Sequence, residues 1–411
     1  MWRPEGLRYT FKLSTEDRIM EKNLKDESPL VVVAMSGGVD SSLAAFLLNQ
    51  KNYQVVGISM KLWDFKEVGG EPHPDGRCCS LEALNDARAV CQKMKIPHYV
   101  VNITQDFKRE VISNFVEEYI KGRTPNPCII CNTKIKWESL WKKARSLGAG
   151  FISTGHYARI RFDEKIKRFL LLKGIDPSRD QSYALWGLSQ KDLSQTIFPL
   201  GELTKRQVRT LAKEHGLKVA EREESQEICF VTDNDYPRFI REWIGSKGQG
   251  LRDMGQRKKT QPGPIFDLKG EKIGEHVGIP YYTIGQRKGL GVALGKPMYV
   301  VRIVAEKNAI YVGENEELFE SSFVVTGVNW IAFDKLKQEI DCEIKIRYQH
   351  IPQEGRISPL TEGHVMVKFN QPERAITPGQ SAVFYQGEAV LGGGVIEKVV
   401  NGMNHLVHTN G

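Results

Sequence analysis

The 411-residue chain lacks several features that would each have pointed elsewhere. No apolar run approaches the eighteen or so residues that cross a bilayer. Residues 1–29 carry six acidic and six basic side chains and no apolar core, so they resemble neither a signal peptide nor an acid-poor transit peptide. A flexible N-terminal extension, a cytoplasmic location and no membrane partner are expected. Internal repeats and low-complexity tracts are absent. The seven cysteines are an odd number, which argues against a full disulfide framework in a chain of this size. Cys128 and Cys131 form a CxxC, but no second CxxC or paired histidines complete a four-ligand zinc site. The GxxxxGK[ST] loop and its lysine are missing as well.

What is there begins at Ser36-Gly37-Gly38-Val39-Asp40-Ser41-Ser42. The apolar run Leu30–Met35 precedes it and the periodic segment Leu43–Leu48 follows, an order that reads strand, glycine turn, helix. Such a turn presents backbone N–H groups at the positive end of a helix, where a phosphate can be held. Gly37 and Gly38 permit a tight turn and close approach of a ligand. Ser36, Ser41 and Ser42 add hydroxyl donors, and Asp40 is placed to help hold Mg2+ beside phosphates. The plain alternative is an ordinary strand-to-helix turn.

From Leu30 to about Asp235 strands and helices alternate, which implies a doubly wound parallel sheet with ligands at the carboxyl ends of its strands. Val55–Ile58 and His98–Val101 read as strands. Leu81, Leu84, Ala87, Val90, Cys91 and Met94 lie at helical spacing, as do Phe107, Val111, Phe115 and Tyr119. Phe151–Thr154 is a strand running into Gly155-His156, a second turn on the ligand face. Thr204 is a candidate N-cap, with Gly216 just past the end of its helix. Beyond Asp235 glycine and proline become frequent and helical periodicity ends after Ile244. Further on the chain alternates as strands (Ile344 and Ile346; Val365, Val367 and Phe369), with a hairpin turn at Gln386-Gly387, which suggests a small barrel or sandwich. The expected segments are a 1–29 extension, a 30–235 nucleotide domain, a 236–305 small central domain and a 306–411 β domain. The net charge of +8 has the sign expected for a polyanionic partner, with basic residues in Arg252–Lys259, at Arg287-Lys288, and at Arg302, Lys345 and Arg347. Most would serve equally well as solvated surface.

Gly122–Pro127 leads into Cys128-Ile129-Ile130-Cys131-Asn132. Pro125 and Pro127 restrict the backbone and predict an extended, non-helical segment presenting both thiols. A CxxC alone reads as a redox pair, a zinc half-site, iron–sulfur ligands or coincidence. Cys229 alone reads as a buried core thiol. Cys91 is expected in a helix core and Cys342 in a barrel strand, and Cys78-Cys79 has no obvious partner.

Taken together, Ala34–Ser41, Gly122–Asn132, Thr154–Tyr157, Asp180–Tyr183, Ile228–Phe230, Gly285–Gly291 and Thr377–Ala382 resemble the bacterial tRNA-specific 2-thiouridylases, members of the PP-loop ATP pyrophosphatases. The resemblance runs from about residue 30 to the C-terminus. It implies an α/β fold: a doubly wound parallel-sheet PP-loop domain followed by a small central domain and a C-terminal antiparallel β-barrel. It further implies an enzyme that uses ATP and Mg2+ to replace the C2 oxygen of the wobble uridine with sulfur. Under it Ala34, Met35, Ser36, Gly37, Gly38, Val39, Asp40 and Ser41 form the phosphate loop, with Met60 and Gly155 also at ATP. Asn126, Pro127 and Cys128 lie at the target base, while His156, Arg179, Asp180, Gln181, Arg347, Tyr348 and Gln380 contact tRNA. Cys131 becomes the nucleophile and Cys229 the carrier of a persulfide, loaded by a sulfur-donor protein, the two closing a disulfide after transfer. Commonly described members carry aspartate at the position of Cys128. Related PP-loop tRNA thiolases hold a [4Fe–4S] cluster on three cysteines, so Cys128, Cys131 and Cys229 form an alternative ligand set, with hydrosulfide as the sulfur source. Two rival readings are a PP-loop ligase that activates a carbonyl for nitrogen attack and needs neither Cys131 nor Cys229, and a non-catalytic RNA-binding protein with a relic nucleotide site.

Overall fold

The computed structural model describes residues 28–64, 68–69, 80–217, 219, 228–246, 259–292 and 295–400. The expected extension (apart from residues 28 and 29), Cys78-Cys79 and most of the basic stretch Arg252–Lys259 lie outside the described residues.

The nucleotide domain is built on strands β1 (Leu30–Ala34), β2 (Gln54–Lys61), β3 (His98–Asn102), β4 (Phe151–Ser153) and β7 (Thr196–Ile197), in the order β3-β2-β1-β4-β7. β1 pairs in parallel with β2 on one side and β4 on the other. Successive crossovers therefore leave β1 and β4 in opposite directions, and a crevice opens at their carboxyl ends. Val31, Val32 and Val33 are fully buried, as expected of a strand covered on both faces. Helix α1 (Val39–Gln50) follows β1, α2 (Leu81–Met94) follows β2, and a continuous helix α3 over 104–120 follows β3. Phe107, Val111, Phe115 and Tyr119 are buried along α3, and Cys91 is buried in α2.

Residues 127–146 form helix α4, whose span Cys131–Leu140 has π geometry. Here the sequence expectation needs correction: Cys128 and Cys131 lie in a helix, not in an extended loop. Asn126 is the N-cap in an extended conformation and Pro127 takes the first helical position, where its missing N–H costs nothing and its fixed φ suits the helix. Helix α5 (Lys205–Glu214) begins at Thr204, which forms a capping box with Gln207, and Gly216 follows its end at φ 63°. Helix α6 (Tyr236–Ser246) packs Phe239, Ile240 and Trp243 into the core of the nucleotide domain.

A small four-stranded sheet comprises β8 (Gly263–Phe266), β9 (Lys272–His276), β10 (Tyr299–Val304) and β11 (Ala309–Gly313), around Ile265, Val300, Ile310 and Val312. β10 and β11 pair across residues 305–308, so this sheet runs on to Gly313. Strands β12 (Phe319–Trp330), β13 (Ile340–Lys345), β14 (Gln353–Pro359), β15 (Val365–Arg374), β16 (Ser381–Gln386) and β17 (Ala389–Val399) close an antiparallel barrel through the β12–β17 pairing. Its interior holds Phe323, Ile344, Ile357, Val367, Phe369 and Phe384. The hairpin β5 (Ala158–Asp163) and β6 (Arg168–Lys173), which belongs by sequence to the nucleotide domain, extends the barrel sheet through Leu172 and Ala389. This hairpin ties the two large domains together. Among the described residues no helix is long and apolar enough to cross a membrane.

Candidate active site

The carboxyl ends of β1 and β4 open on a cavity of about 240 Å3. Ala34, Met35, Ser36, Asp40, Ser41, Met60 and Gly155, all expected at ATP, line it. Gly37 and Gly38 shape the loop behind them and Val39 is buried beneath it. Gly37 sits at φ 78°, and a Cβ there would lie 2.2 Å from the Ala83 carbonyl oxygen of α2. Gly155 packs directly on the first turn of α1: a Cβ would come within 2.7 Å of the Ser41 nitrogen. Both glycines are thus dictated by backbone approach.

The loop's hydroxyls are pre-arranged. Ser41 Oγ accepts from the Ser36 N–H and lies 3.2 Å from Ser36 Oγ, while Ser42 Oγ donates to the Gly38 carbonyl at 2.9 Å. The Asp40 carboxylate receives both its oxygens' contacts from Lys205 Nζ at 2.8 and 2.9 Å, and the Tyr157 hydroxyl donates to it at 2.7 Å. Lys205 is buried, and burial pulls its pKa down against the opposing pull of Asp40. Its own N–H donates to Asp176, which pins the start of α5 over the loop. Burial, reinforced by Asp40, raises the Tyr157 pKa, so its hydroxyl stays a donor.

His156 and Gln181, expected at tRNA, also line this cavity. His156 packs against Trp137 and Phe198. Burial, helped by the neighbouring Lys136 ammonium, holds its pKa well below the ordinary value. The neutral ring lies 2.6 Å from Thr154 Oγ1 through Nδ1 and 3.4 Å from Lys136 Nζ through Nε2. Gln181 Oε1 accepts from the Tyr157 N–H, and the Gln181 N–H returns a bond to the Tyr157 carbonyl.

Most of the other expected tRNA residues gather at the first turn of α4. The Asn126 side chain bonds the Tyr183 hydroxyl, which itself donates to the Ser381 carbonyl of the barrel. Burial raises the Tyr348 pKa, with Asp180 and Cys128 adding to the shift and Arg179 opposing it, so all four groups lie within electrostatic reach. Lys345 Nζ lies 5.7 Å from both the Tyr183 and Tyr348 ring centres. The Asp180 carboxylate is occupied locally, by the N–H groups of Gly174 and Ser182 and the Ser182 hydroxyl. Arg347 donates to the Arg374 carbonyl. Gln380 Nε2 donates to the Thr124 and Pro125 carbonyls at 2.9 and 3.2 Å, so the barrel clasps the loop that starts α4.

Cys128 is exposed, whereas Cys131 and Cys229 are half-buried against one apolar core. Among the described residues no three His, Cys, Asp or Glu side chains gather as a metal-ligand set. Cys128, Cys131 and Cys229 form no such set among the described residues. A magnesium ion takes one or two carboxylates and completes its shell with phosphate oxygens and water; Asp40 is the carboxylate that lines the cavity, and it would hold the ion through the lone pairs that Lys205 and Tyr157 leave open. Sequence reasoning missed Lys136, Lys205 and Tyr157. A lysine just past a helix N-cap and one in mid-helix carry no local signal of a site.

Three family models match: a tRNA methyl transferase HUP domain over 29–233, a tRNA methyl transferase PRC-barrel domain over 254–314 and an aminomethyltransferase β-barrel domain over 320–396. The tRNA-specific 2-thiouridylase MnmA 2 of Caldanaerobacter subterraneus subsp. tengcongensis is 48% identical over 381 residues, covering 93% of this chain and 100% of that protein. The chain belongs to the tRNA-specific 2-thiouridylase family. It is an enzyme, and its parallel sheet, small central sheet and antiparallel barrel are those of the 2-thiouridylases. The 2-thiouridylase MnmA of Geotalea uraniireducens is likewise 48% identical, over 95% of this chain and 100% of its own length.

Proposed function

We propose that this enzyme thiolates the wobble uridine of tRNA anticodons at C2 in an ATP-dependent reaction, in a cytoplasmic setting. One observation carries the reading. Helix α4, which bears Cys131, also forms a wall of the nucleotide cavity through Lys136, so nucleotide activation and a thiol share one element. The uridine C2 oxygen is a poor leaving group. Its attack on the ATP α-phosphorus forms an O–P bond, breaks the bond to the β-phosphate and releases pyrophosphate. The loop N–H groups at the start of α1 and the Ser36 and Ser41 hydroxyls are placed to stabilise that leaving charge. Mg2+ held beside Asp40 would neutralise charge on the departing phosphates.

The terminal sulfur of a Cys229 persulfide then attacks C2, and AMP leaves with the C2 oxygen. The Cys131 thiolate attacks the Cys229 sulfur and frees 2-thiouridine, leaving a Cys131–Cys229 disulfide that an external dithiol reduces. This route is favoured over a cluster because it needs only the two cysteines that pack on a common core. A sulfur-donor protein that itself carries a persulfide reloads the reduced Cys229, passing its terminal sulfur to the Cys229 thiolate and leaving as a thiol. The base must leave its stack to reach the site, which an anticodon loop makes easier than a duplex. Asn126, Pro127 and Cys128 would meet it, with Arg179, Asp180, Gln181, His156, Arg347, Tyr348 and Gln380 around the loop.

The test uses tRNA transcripts with uridine or cytidine at the wobble position, ATP and a persulfide source, with nucleosides and pyrophosphate both measured. Thiouridine and pyrophosphate are expected only with the wobble uridine and ATP together. ATP cleavage without sulfur entering the tRNA would point to a PP-loop ligase and overturn the proposal.

A further inference from the structure

We infer that Lys136 is a catalytic residue of the adenylation step, its ammonium meeting the α-phosphate oxygens as the uridine oxygen attacks. This rests on the function proposed above. Among the described residues Lys136 is the cationic side chain that lines the nucleotide cavity, facing the same space as Ser36, Ser41 and Thr154. Its two hydrogen-bond partners are neutral: Asn132 Oδ1 at 2.9 Å and His156 Nε2 at 3.4 Å. An ammonium has three donors, so one N–H remains for the cavity, and neither partner cancels the charge. Lys205, the other lysine at the loop, differs in both respects, because Asp40 grips it through both oxygens.

The surroundings fix Lys136 in this role. Asn132 is buried and its Nδ2 donates to the Ala184 carbonyl at 2.8 Å, which turns its oxygen toward the ammonium. His156 stays neutral and accepts. Helix geometry adds a further link. The wider turn of the π segment brings residue i+5 back toward residue i, so Lys136 comes round to the side of Cys131. One helix thus presents the phosphate-facing charge and the thiol. The chemistry needs both within a short distance. As the O–P bond forms and the Pα–O bond to pyrophosphate breaks, negative charge spreads over the non-bridging oxygens, and when sulfur attacks C2 the same phosphate leaves as AMP. An ammonium fixed beside those oxygens lowers both barriers, as preorganised donors do elsewhere.

The experiment compares Lys136→Met and Lys136→Arg with the parent enzyme in single turnovers at saturating ATP with wobble-uridine tRNA, following pyrophosphate and thiouridine separately. Melting temperature and tRNA affinity are recorded alongside. For Lys136→Met we expect pyrophosphate release about 100-fold slower or worse, the loss of one preorganised donor, with melting and tRNA binding unchanged. Lys136→Arg should recover part of the rate, because it restores the charge with a different shape. A Lys136→Met enzyme that releases pyrophosphate within about threefold of the parent would overturn the inference. So would equal loss in the Met and Arg variants, which marks a purely structural role. If the parent itself releases no pyrophosphate with this tRNA, the proposed function fails instead, and the two failures are distinguishable.

Discussion

Gly37 and Gly38 are neighbours in one motif, yet the structure assigns them opposite tolerances. An alanine at 37 must adopt φ 78°, which costs an L-residue about 1–2 kcal/mol. Its Cβ would also lie 2.2 Å from the oxygen, 2.7 Å from the carbonyl carbon and 2.7 Å from the Cα of Ala83. These are backbone atoms in the first turn of α2, held by the Ser80 cap that accepts from the Ala83 N–H. No rotamer relieves the clash, and overpacking of this kind adds about 1–3 kcal/mol. Gly37→Ala should therefore lose about 2–5 kcal/mol. At Gly38 φ is −90°, and a Cβ would meet only Ser36 Oγ, at 3.6 Å. Gly38→Ala gives up only the mild N-cap advantage of glycine, about 1 kcal/mol or less. Urea unfolding of both variants without nucleotide, followed by a probe in the nucleotide domain, measures the difference. Equal losses, or a Gly37→Ala loss under about 0.5 kcal/mol, would refute the argument that α2 forces the glycine.

Lys205→Met strands the Asp40 carboxylate beside Tyr157. With Asp40 about a quarter exposed, the loss should be about 2 kcal/mol, less than for a fully buried pair, and ATP affinity should fall with it, as read by denaturation and nucleotide titration. Gln380→Ala removes both bonds to the Thr124–Pro125 loop; at about 1 kcal/mol each, the start of α4 loosens, and turnover should fall more than tRNA affinity. His276 is buried, with Nε2 against the Asn308 carbonyl and Nδ1 accepting from the Gly278 N–H. Burial lowers its pKa from 6.5, so the unfolded chain binds the extra proton first. Stability of the small central sheet should therefore fall as pH drops below about 6.5, and His276→Gln should flatten that slope in pH-dependent melting.

The strand, glycine turn and helix of the phosphate loop were legible because their signals are local. An apolar strand, a paired glycine and a helix with Asp40 and Ser41 in its first turn are contiguous, and the Thr204 cap lies within four residues of Gln207. The cysteine segment was misread for the opposite reason. Pro127 disfavours a preceding helical residue but favours a following helix, and only the burial of Ile129, Ile135 and Leu140 decides that a helix continues. The hairpin 158–173 alternates like any antiparallel pair, and nothing local says that Leu172 joins Ala389 across more than two hundred residues. Lys136 and Lys205 carry no local signal, because only tertiary packing sets them around Asp40, His156 and the loop. The Gly155-His156 turn was legible as part of the ligand face, and the structure places His156 in the wall of that cavity, with Gln181 beside it through Tyr157.

In the proposed reaction, ATP activation and sulfur delivery are separate chemical duties of one site. This division is tested most directly by a single anaerobic turnover with wobble-uridine tRNA, ATP and enzyme preloaded with labelled persulfide, comparing the parent with Cys131→Ser and Cys229→Ser. The parent should give equal amounts of pyrophosphate and labelled 2-thiouridine, and both variants should give pyrophosphate without free 2-thiouridine. Labelled 2-thiouridine released by either serine variant at the parent's rate would contradict that division.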